Sequence, residues 1–263
     1  MKVSLIISTY NRPDALRLCL LSVLAQKRLP DEIIVGDDGS GAPTRELIRS
    51  MQKLSPVPLI HVWHEDKGFR LAAMRNKSVA RAKGDYIVEI DGDLILHPNF
   101  IKDHENFARQ GCYLKGGRTN LGKELTERLC SEGRLRHITP FTKGIESKPE
   151  NALRFPLLGK FLAGWYRKKR GMFLGCNMSF FRDDFLAVNG YDEFFEGWGG
   201  EDGDFARRLR LHGLKKRHLK FVGLVSHLWH EDKYMYNKDR NYIYSMRADA
   251  SARCGDGIDK YLN

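Results

Sequence analysis

Gly84-Asp85-Tyr86-Ile87-Val88-Glu89-Ile90-Asp91-Gly92-Asp93 is the stretch on which the reading of this chain turns. Tyr86 to Ile90 is rich in β-branched residues and bounded by Gly84 and Gly92, which predicts a short buried strand rather than a helical turn. In an open α/β sheet, ligands bind beyond the carboxyl ends of the strands. The strand would therefore deliver two carboxylates, Asp91 and Asp93, to the place where a ligand sits. Hard oxygen donors on a turn relaxed by Gly92 suit Mg2+ or Mn2+, which takes one or two carboxylates and shares the rest of its shell with substrate phosphates. An isolated Asp-Gly-Asp is more often an acidic surface turn, so the neighbouring stretches must decide.

Upstream, Val3 to Ser8 is a near-continuous apolar run, as expected of a strand buried on both faces. Thr9-Tyr10-Asn11-Arg12 follows, and Pro13 opens an amphipathic helix to about Gln26, with Leu16, Leu20, Val23 and Leu24 on one stripe. Glu32 to Gly36 reads as a second strand closed by Asp37-Asp38-Gly39-Ser40, and Thr44 as the cap of a helix to about Lys53. Pro58 to Val62 is a third strand, followed by Trp63-His64-Glu65-Asp66-Lys67 and a helix from about Arg70 to Ala82. Four strands alternating with three helices predict a parallel α/β sheet with right-handed crossovers. Polar residues at every strand end describe a nucleotide cleft. Neither G-x-G-x-x-G nor G-x-x-x-x-G-K-[ST] occurs, so a dinucleotide fold and a P-loop both lack their fingerprint.

Downstream, a helix from about Pro98 to Arg109 and a strand over Cys112–Lys115 continue the pattern. Residues 118–170 are punctuated by Gly and Pro and are expected to form an insertion of short helices and loops. Met172 to Phe181 reads as an apolar strand broken by Gly175 and Asn177. A helix from Glu201 to Leu211 would turn Phe205 and Leu209 inward and its arginines outward, with an acidic start that suits the helix dipole. A last strand is expected over Leu219–Val225, ending in Ser226-His227-Leu228-Trp229-His230, ahead of a polar, partly helical tail. The pentapeptide Trp-His-Glu-Asp-Lys occurs at 63–67 and again at 229–233, but its flanks differ and no repeat is inferred. The expectation is one domain, with a nucleotide-binding half at 1–97, an acceptor-binding half at 98–230 and a tail at 231–263.

The formal net charge of +11 admits nucleic acid, an anionic membrane surface or phosphorylated substrates as partners. Basic residues cluster at Arg167–Arg170, Arg207–Arg210 and Lys215–Arg217 without the interleaved aromatics of a single-strand platform, so nucleic acid is not expected. No apolar run approaches bilayer length, and the first ten residues do not read as a signal peptide. Five widely spaced cysteines, never C-x-x-C, argue against a disulfide framework and for a reducing compartment. A cytoplasmic location with peripheral contact at the inner face of the membrane is the expectation.

Ser8-Thr9-Tyr10-Asn11-Arg12, Asp37-Asp38-Gly39-Ser40, Arg75-Asn76 ahead of Gly84-Asp85, Asp91-Gly92-Asp93 and Gly197-Trp198-Gly199-Gly200-Glu201-Asp202 occur in a telling order and spacing. The chain thereby resembles family 2 glycosyltransferases of the GT-A fold over roughly residues 3–230, with 118–170 outside the match. Its later part is similar to the carboxyl-terminal segment of β-1,4-galactosyltransferases and chondroitin-polymerase-type enzymes. The resemblance implies that Asp38 accepts the uracil N–H and that Thr9, Tyr10, Asn11 and Arg12 cradle nucleotide and diphosphate. It puts Arg75 beside the diphosphate, and Asp93 with Asp91 on Mn2+ or Mg2+, with His227 as third ligand and His230 the alternative. Asp202 would be the general base, Glu201 would bind donor or acceptor hydroxyls, and Trp198 would offer a flat face to a sugar ring. On the residues alone, Asp37–Ser40 could equally be a plain turn, and Glu201 and Asp202 merely the acidic start of a helix.

The implied activity is inverting, metal-dependent transfer of a hexosyl or N-acetylhexosaminyl group from a UDP-sugar to a hydroxyl of a glycan or lipid-linked glycan, in cell-surface polysaccharide or lipopolysaccharide synthesis. The rivals are a metal-dependent nucleotidyltransferase, which would release pyrophosphate, and a non-catalytic sugar-nucleotide or glycan-binding module.

Overall fold

The computed structural model describes residues 1–165, 175–231, 236–246 and 251–262. The strands β1 (Val3–Thr9), β2 (Glu32–Asp37), β3 (Leu59–Trp63) and β4 (Tyr86–Asp91) are linked by helices α1 (Pro13–Leu24), α2 (Ala42–Leu54) and α3 (Leu71–Arg81). After them come β5 (Leu94–Leu96), α4 (Phe100–Phe107), β6 (Cys112–Gly116), β7 (Thr119–Leu121), α5 (Lys123–Glu132), β8 (Ile145–Ser147) and α6 (Pro156–Trp165). Then follow β9 (Asn177–Phe181), α7 (Arg182–Ala187), α8 (Glu201–Leu211), β10 (Lys215–Leu219), β11 (Val225–His227) and α9 (Lys238–Ser245). Seven strands form the main sheet in the order β10-β6-β9-β4-β1-β2-β3, and four form a second sheet, β5-β11-β7-β8.

The apolar runs of β1 and β4 have a simple cause: both faces of the main sheet are covered. Val3, Leu5 and Ile7 join Tyr86, Val88 and Ile90 on one face, against Leu16, Leu20 and Val23 of α1. Ile6 and Ile87 point the other way, into a second core with Val79, Phe180, Phe185 and Phe205. Burying each such side chain contributes about 1.5–3 kcal/mol, so a register slip that swapped the faces would forfeit most of the sheet's stability.

The main sheet is mostly parallel, with β9 running antiparallel to both β4 and β6. Ile90 pairs with Asn177. The beginning of β9 and the residues just before it therefore lie at the same edge as the end of β4. In the second sheet β11 is antiparallel to β5, with His227 opposite Leu94, and the Leu228 N–H donates to the Asp93 carbonyl. That ladder brings residue 227 beside residue 93.

Several expectations are corrected. The strand expected over Leu219–Val225 is two strands in different sheets, because Phe221 and Gly223 take positive φ values of 63° and 58° and turn the chain between them. Residues 118–170 do hold short helices, and they also supply β7 and β8 to the second sheet. Thr44 is not a cap: α2 starts at Ala42, and Gly41 precedes it with no side-chain cap. Arg208 is not on the outer face of α8. It is 2% exposed, bound to Asp204 at 2.6 Å and to the Val188 and Gly190 carbonyls, which satisfy a guanidinium that burial would otherwise penalise. Of the strand expected over Met172–Phe181, residues 172–174 lie outside the described residues, as does the basic run Arg167–Arg170. All five cysteines are free thiols.

Candidate active site

The carboxyl edges of β1, β2 and β4 open on one cleft, and its centre is a single arginine. Arg75 on α3 is 1% exposed. Its Nη1 lies 2.6 Å from Asp202 Oδ1, its Nη2 3.3 Å from Asp91 Oδ1, and its Nε 3.2 Å from Glu89 Oε1, while Glu201 Oε1 stands 3.8 Å from Nη1. The guanidinium also lies over the ring of Tyr191, whose hydroxyl donates to Glu89 Oε1 at 2.6 Å. One fixed cation thus holds the end of β4 and the start of α8 together. Arg75 is buried beneath these carboxylates and holds them in place.

More carboxylates converge here than one arginine can neutralise. Burial pushes Glu89 up to about 7, and it drives Glu201 upward as well, with the adjacent Asp202 charge adding to the effect. Asp202 is held on both sides, since its Oδ2 accepts the Gly175 N–H at 2.6 Å. A Cβ on Gly175 would fall 2.1 Å from Asp202 Oδ1, so only glycine lets the backbone come this close. Gly200, at φ 95°, turns the chain into α8 and aims Glu201 and Asp202 at the cleft.

Asp93 heads a second cluster. Its Oδ2 meets Arg12 Nη1 at 2.9 Å, with His227 Nε2 and His230 Nε2 each at 3.5 Å. Ligand atoms of Asp93, His227 and His230 all lie within 4.8 Å of one another. Asp93 Oδ1 is buried with no hydrogen-bond partner, which is what a carboxylate poised for a cation looks like. Burial lowers His227 to about 4 and keeps it neutral, the form that ligates. One carboxylate and two imidazoles suit a divalent transition-metal ion, with open positions for oxygen ligands, so these residues fit a metal. Both histidines expected as alternatives therefore belong to the cluster, whereas Asp91 turns its Oδ1 to Arg75. Gly92 sits between them because a Cβ there would press within 3.0 Å of the Ser8 carbonyl oxygen.

The third part lies toward β2 and β3. Asp38 Oδ1 pairs with His64 Nε2 at 2.5 Å, and its Oδ2 accepts the Arg70 N–H at 2.9 Å. The Lys77 ammonium lies 2.9 Å from His64 Nδ1, which assigns the proton of His64 to Nε2. The Tyr10 hydroxyl donates to Asp66, and the Asn11 N–H to Ser40 Oγ, tying the turn after β1 to the one after β2. Arg12 also donates to the Trp229 carbonyl. Thr9 is buried at the end of β1. Trp198 is 40% exposed, with the Lys238 ammonium 5.7 Å from the centre of its ring.

Of the residues singled out in sequence, Asp91 and Asp202 meet at Arg75, and Asp93 meets Arg12, His227 and His230. Sequence reading missed Glu89, His64, Lys77 and Gly175. His64 carried a signal, as a polar residue just past the end of a strand in a sheet whose other strand ends all serve the cleft.

Comparison with known proteins identifies the class and then the family. The mannosyltransferase PcManGT from Pyrobaculum calidifontis, solved in complex with GDP-Man and Mn2+, matches with a TM-score of 0.63 at 16% identity, over 94% of this chain and 65% of that one. S. aureus TarS 1-349 in complex with UDP-GlcNAc matches with a TM-score of 0.57 at 18% identity, over 89% and 60%. At these identities the likeness speaks for the fold, and the fold is GT-A. Among sequences, validoxylamine A glucosyltransferase of Streptomyces hygroscopicus subsp. limoneus is 29% identical over 227 residues, covering 81% of this chain and 48% of that protein. Escherichia coli chondroitin synthase is 27% identical over 230 residues, covering 80% and 32%. The chain spans about half or less of the length of these relatives. The profile described as "Glycosyl transferase family 2" matches residues 4–185, and "N-terminal domain of galactosyltransferase" matches residues 163–231. The chain belongs to glycosyl transferase family 2, and the match runs through residues 118–170, where no motif was read.

Proposed function

We propose that this chain is an inverting, metal-dependent glycosyltransferase that moves a sugar from a UDP-sugar to a hydroxyl of a glycan acceptor. The observation that carries this reading is the pairing, in one cleft, of a cation-fitting cluster at Asp93 with an arginine-held carboxylate at Asp202. A divalent ion at Asp93, His227 and His230 would neutralise the charge that develops on the departing nucleotide diphosphate. Asp38, with Thr9 and Tyr10 nearby, would hold the nucleoside. Asp202 would take the acceptor hydroxyl's proton as that oxygen attacks the anomeric carbon and the bond to the diphosphate breaks. A single base on the face opposite the leaving group is what inversion requires. Glu201, held largely protonated by its surroundings, can donate to a sugar hydroxyl. Trp198 would stack on the acceptor ring. The same reading takes in a lipid-linked acceptor in surface polysaccharide synthesis and a peripheral visit to an anionic membrane.

UDP release across a panel of UDP-sugars and glycan acceptors, with Mn2+ and after chelation, tests it. Turnover is expected to vanish with chelator and return with Mn2+. Asp202→Asn should lower transfer by about 10²–10⁴-fold while leaving UDP binding intact. Full activity in either case would overturn the assignment.

A further inference from the structure

Helix α6 is built inside out. Its small residues face the protein: Gly159 and Ala163 are buried, and a Cβ on Gly159 would fall 2.6 Å from the Lys220 carbonyl oxygen. Its large ones face outward, with Leu157 at 81% and Phe161 at 68% exposure. Leu158, and Leu153 and Phe155 just ahead of the helix, extend the apolar face. A helix meant only for water would bury its leucines and phenylalanines and leave small or polar residues outside.

The charge of the surroundings says what covers this face. From Asn151 to Arg182 the sequence holds no Asp or Glu, and Lys160 and the run Arg167-Lys168-Lys169-Arg170 that follows α6 are basic; Arg154 is paired with Asp103 at 2.6 Å. Lys160 lies within the apolar face itself and is exposed. Large exposed apolar side chains in a segment whose sequence is basic match the boundary between anionic headgroups and acyl chains, where lysine stems lie along the apolar layer and their ammonium groups reach phosphate. With ten residues α6 cannot cross a bilayer. It can lie in the surface.

We propose that the outward face of α6, centred on Leu157, Leu158 and Phe161, docks the protein on an anionic lipid surface. Gly175, whose N–H is bound to Asp202, follows α6 in the chain. The link to an acceptor rests on the proposed function; the docking does not.

Sedimentation with vesicles of phosphatidylcholine alone, or mixed with phosphatidylglycerol, tests the proposal. The protein should pellet with the mixed vesicles, far less with phosphatidylcholine, and be released by salt. Leu157→Glu/Phe161→Glu should weaken vesicle partition by about tenfold or more. Both positions are exposed, so the fold should survive, as circular dichroism and the thermal shift on UDP would establish. Failure of wild type to bind, or binding unchanged in the double variant, would overturn the proposal. So would a concentration-dependent dimer in gel filtration that the double variant abolishes, since the face would then belong to a second copy. An unchanged UDP shift alongside lost vesicle binding separates this failure from any failure of the enzymatic reading.

Discussion

Gly175 and Asp202 make the sharpest case at the scale of single residues. The backbone of one grips the carboxylate of the other, and the geometry leaves no space for a methyl group. Gly175→Ala should therefore displace the acid without altering its chemistry. The expectation is a loss of about 10²-fold in the rate of sugar transfer with UDP affinity retained, measured by UDP release and isothermal titration. Wild-type kinetics in the variant would show that Asp202 need not sit where Gly175 puts it. The strand end and the glycine-preceded helix start that carry these acids were legible beforehand, whereas their roles were not, because acidic turns and acidic helix starts also have ordinary structural uses. The carboxylate partners of Arg75 were hidden for a physical reason: an arginine one helix before an acidic strand suits phosphate and carboxylate alike, and only the three-dimensional structure brings Glu89, Asp91 and Asp202 to it.

Among the elements, β4 shows what a sequence pattern can and cannot carry. Its β-branched run and glycine boundary predict the strand, and Gly84 proves more than a boundary. A Cβ there would fall 2.8 Å from the Ser4 nitrogen and 2.9 Å from the Lys2 carbonyl oxygen, both backbone atoms of or beside β1. Gly84→Ala should cost about 1–3 kcal/mol, read as a lower urea midpoint; an unchanged midpoint would mean that β1 can yield. The direction of β9 was not legible, because a five-residue strand has the same composition whether parallel or antiparallel. The division of Leu219–Val225 was hidden as well, since Phe221 at positive φ has no sequence signature. Residues 118–170 eluded motif reading because β7 and β8 are only three residues long, too short for a period to emerge. The two copies of Trp-His-Glu-Asp-Lys place histidines on opposite sides of the cleft, His64 on Asp38 and His230 on Asp93.

For the whole molecule, the buried histidines set how the fold responds to acid. His104 is wholly buried between α4 and β9, bound to Ser179 Oγ at 2.8 Å and Asn177 Oδ1 at 3.1 Å, and burial lowers it to about 3. Burial also lowers His97 and His218 to about 4. The unfolded chain binds these protons near the ordinary histidine value of about 6.5, and the folded chain resists them. Their contribution is therefore full above about pH 6.5 and is lost as pH falls toward 3. Glu89, raised to about 7, opposes this trend, because the folded state holds its proton longer than the unfolded chain does. The two effects separate by difference: His104→Asn should flatten the fall in unfolding free energy between pH 6.5 and 4 relative to wild type. Parallel profiles for the two proteins would exclude His104 as a source of acid sensitivity.

Asp93 and its two imidazole neighbours stand far apart in the order of synthesis, joined only when β11 zips onto β5. A nascent chain that has emerged through residue 202 already owns every carboxylate of the cleft, yet lacks both nitrogen donors. The cation-fitting cluster is thus completed after the carboxylates, and a chain not yet made through His230 cannot sequester metal with it.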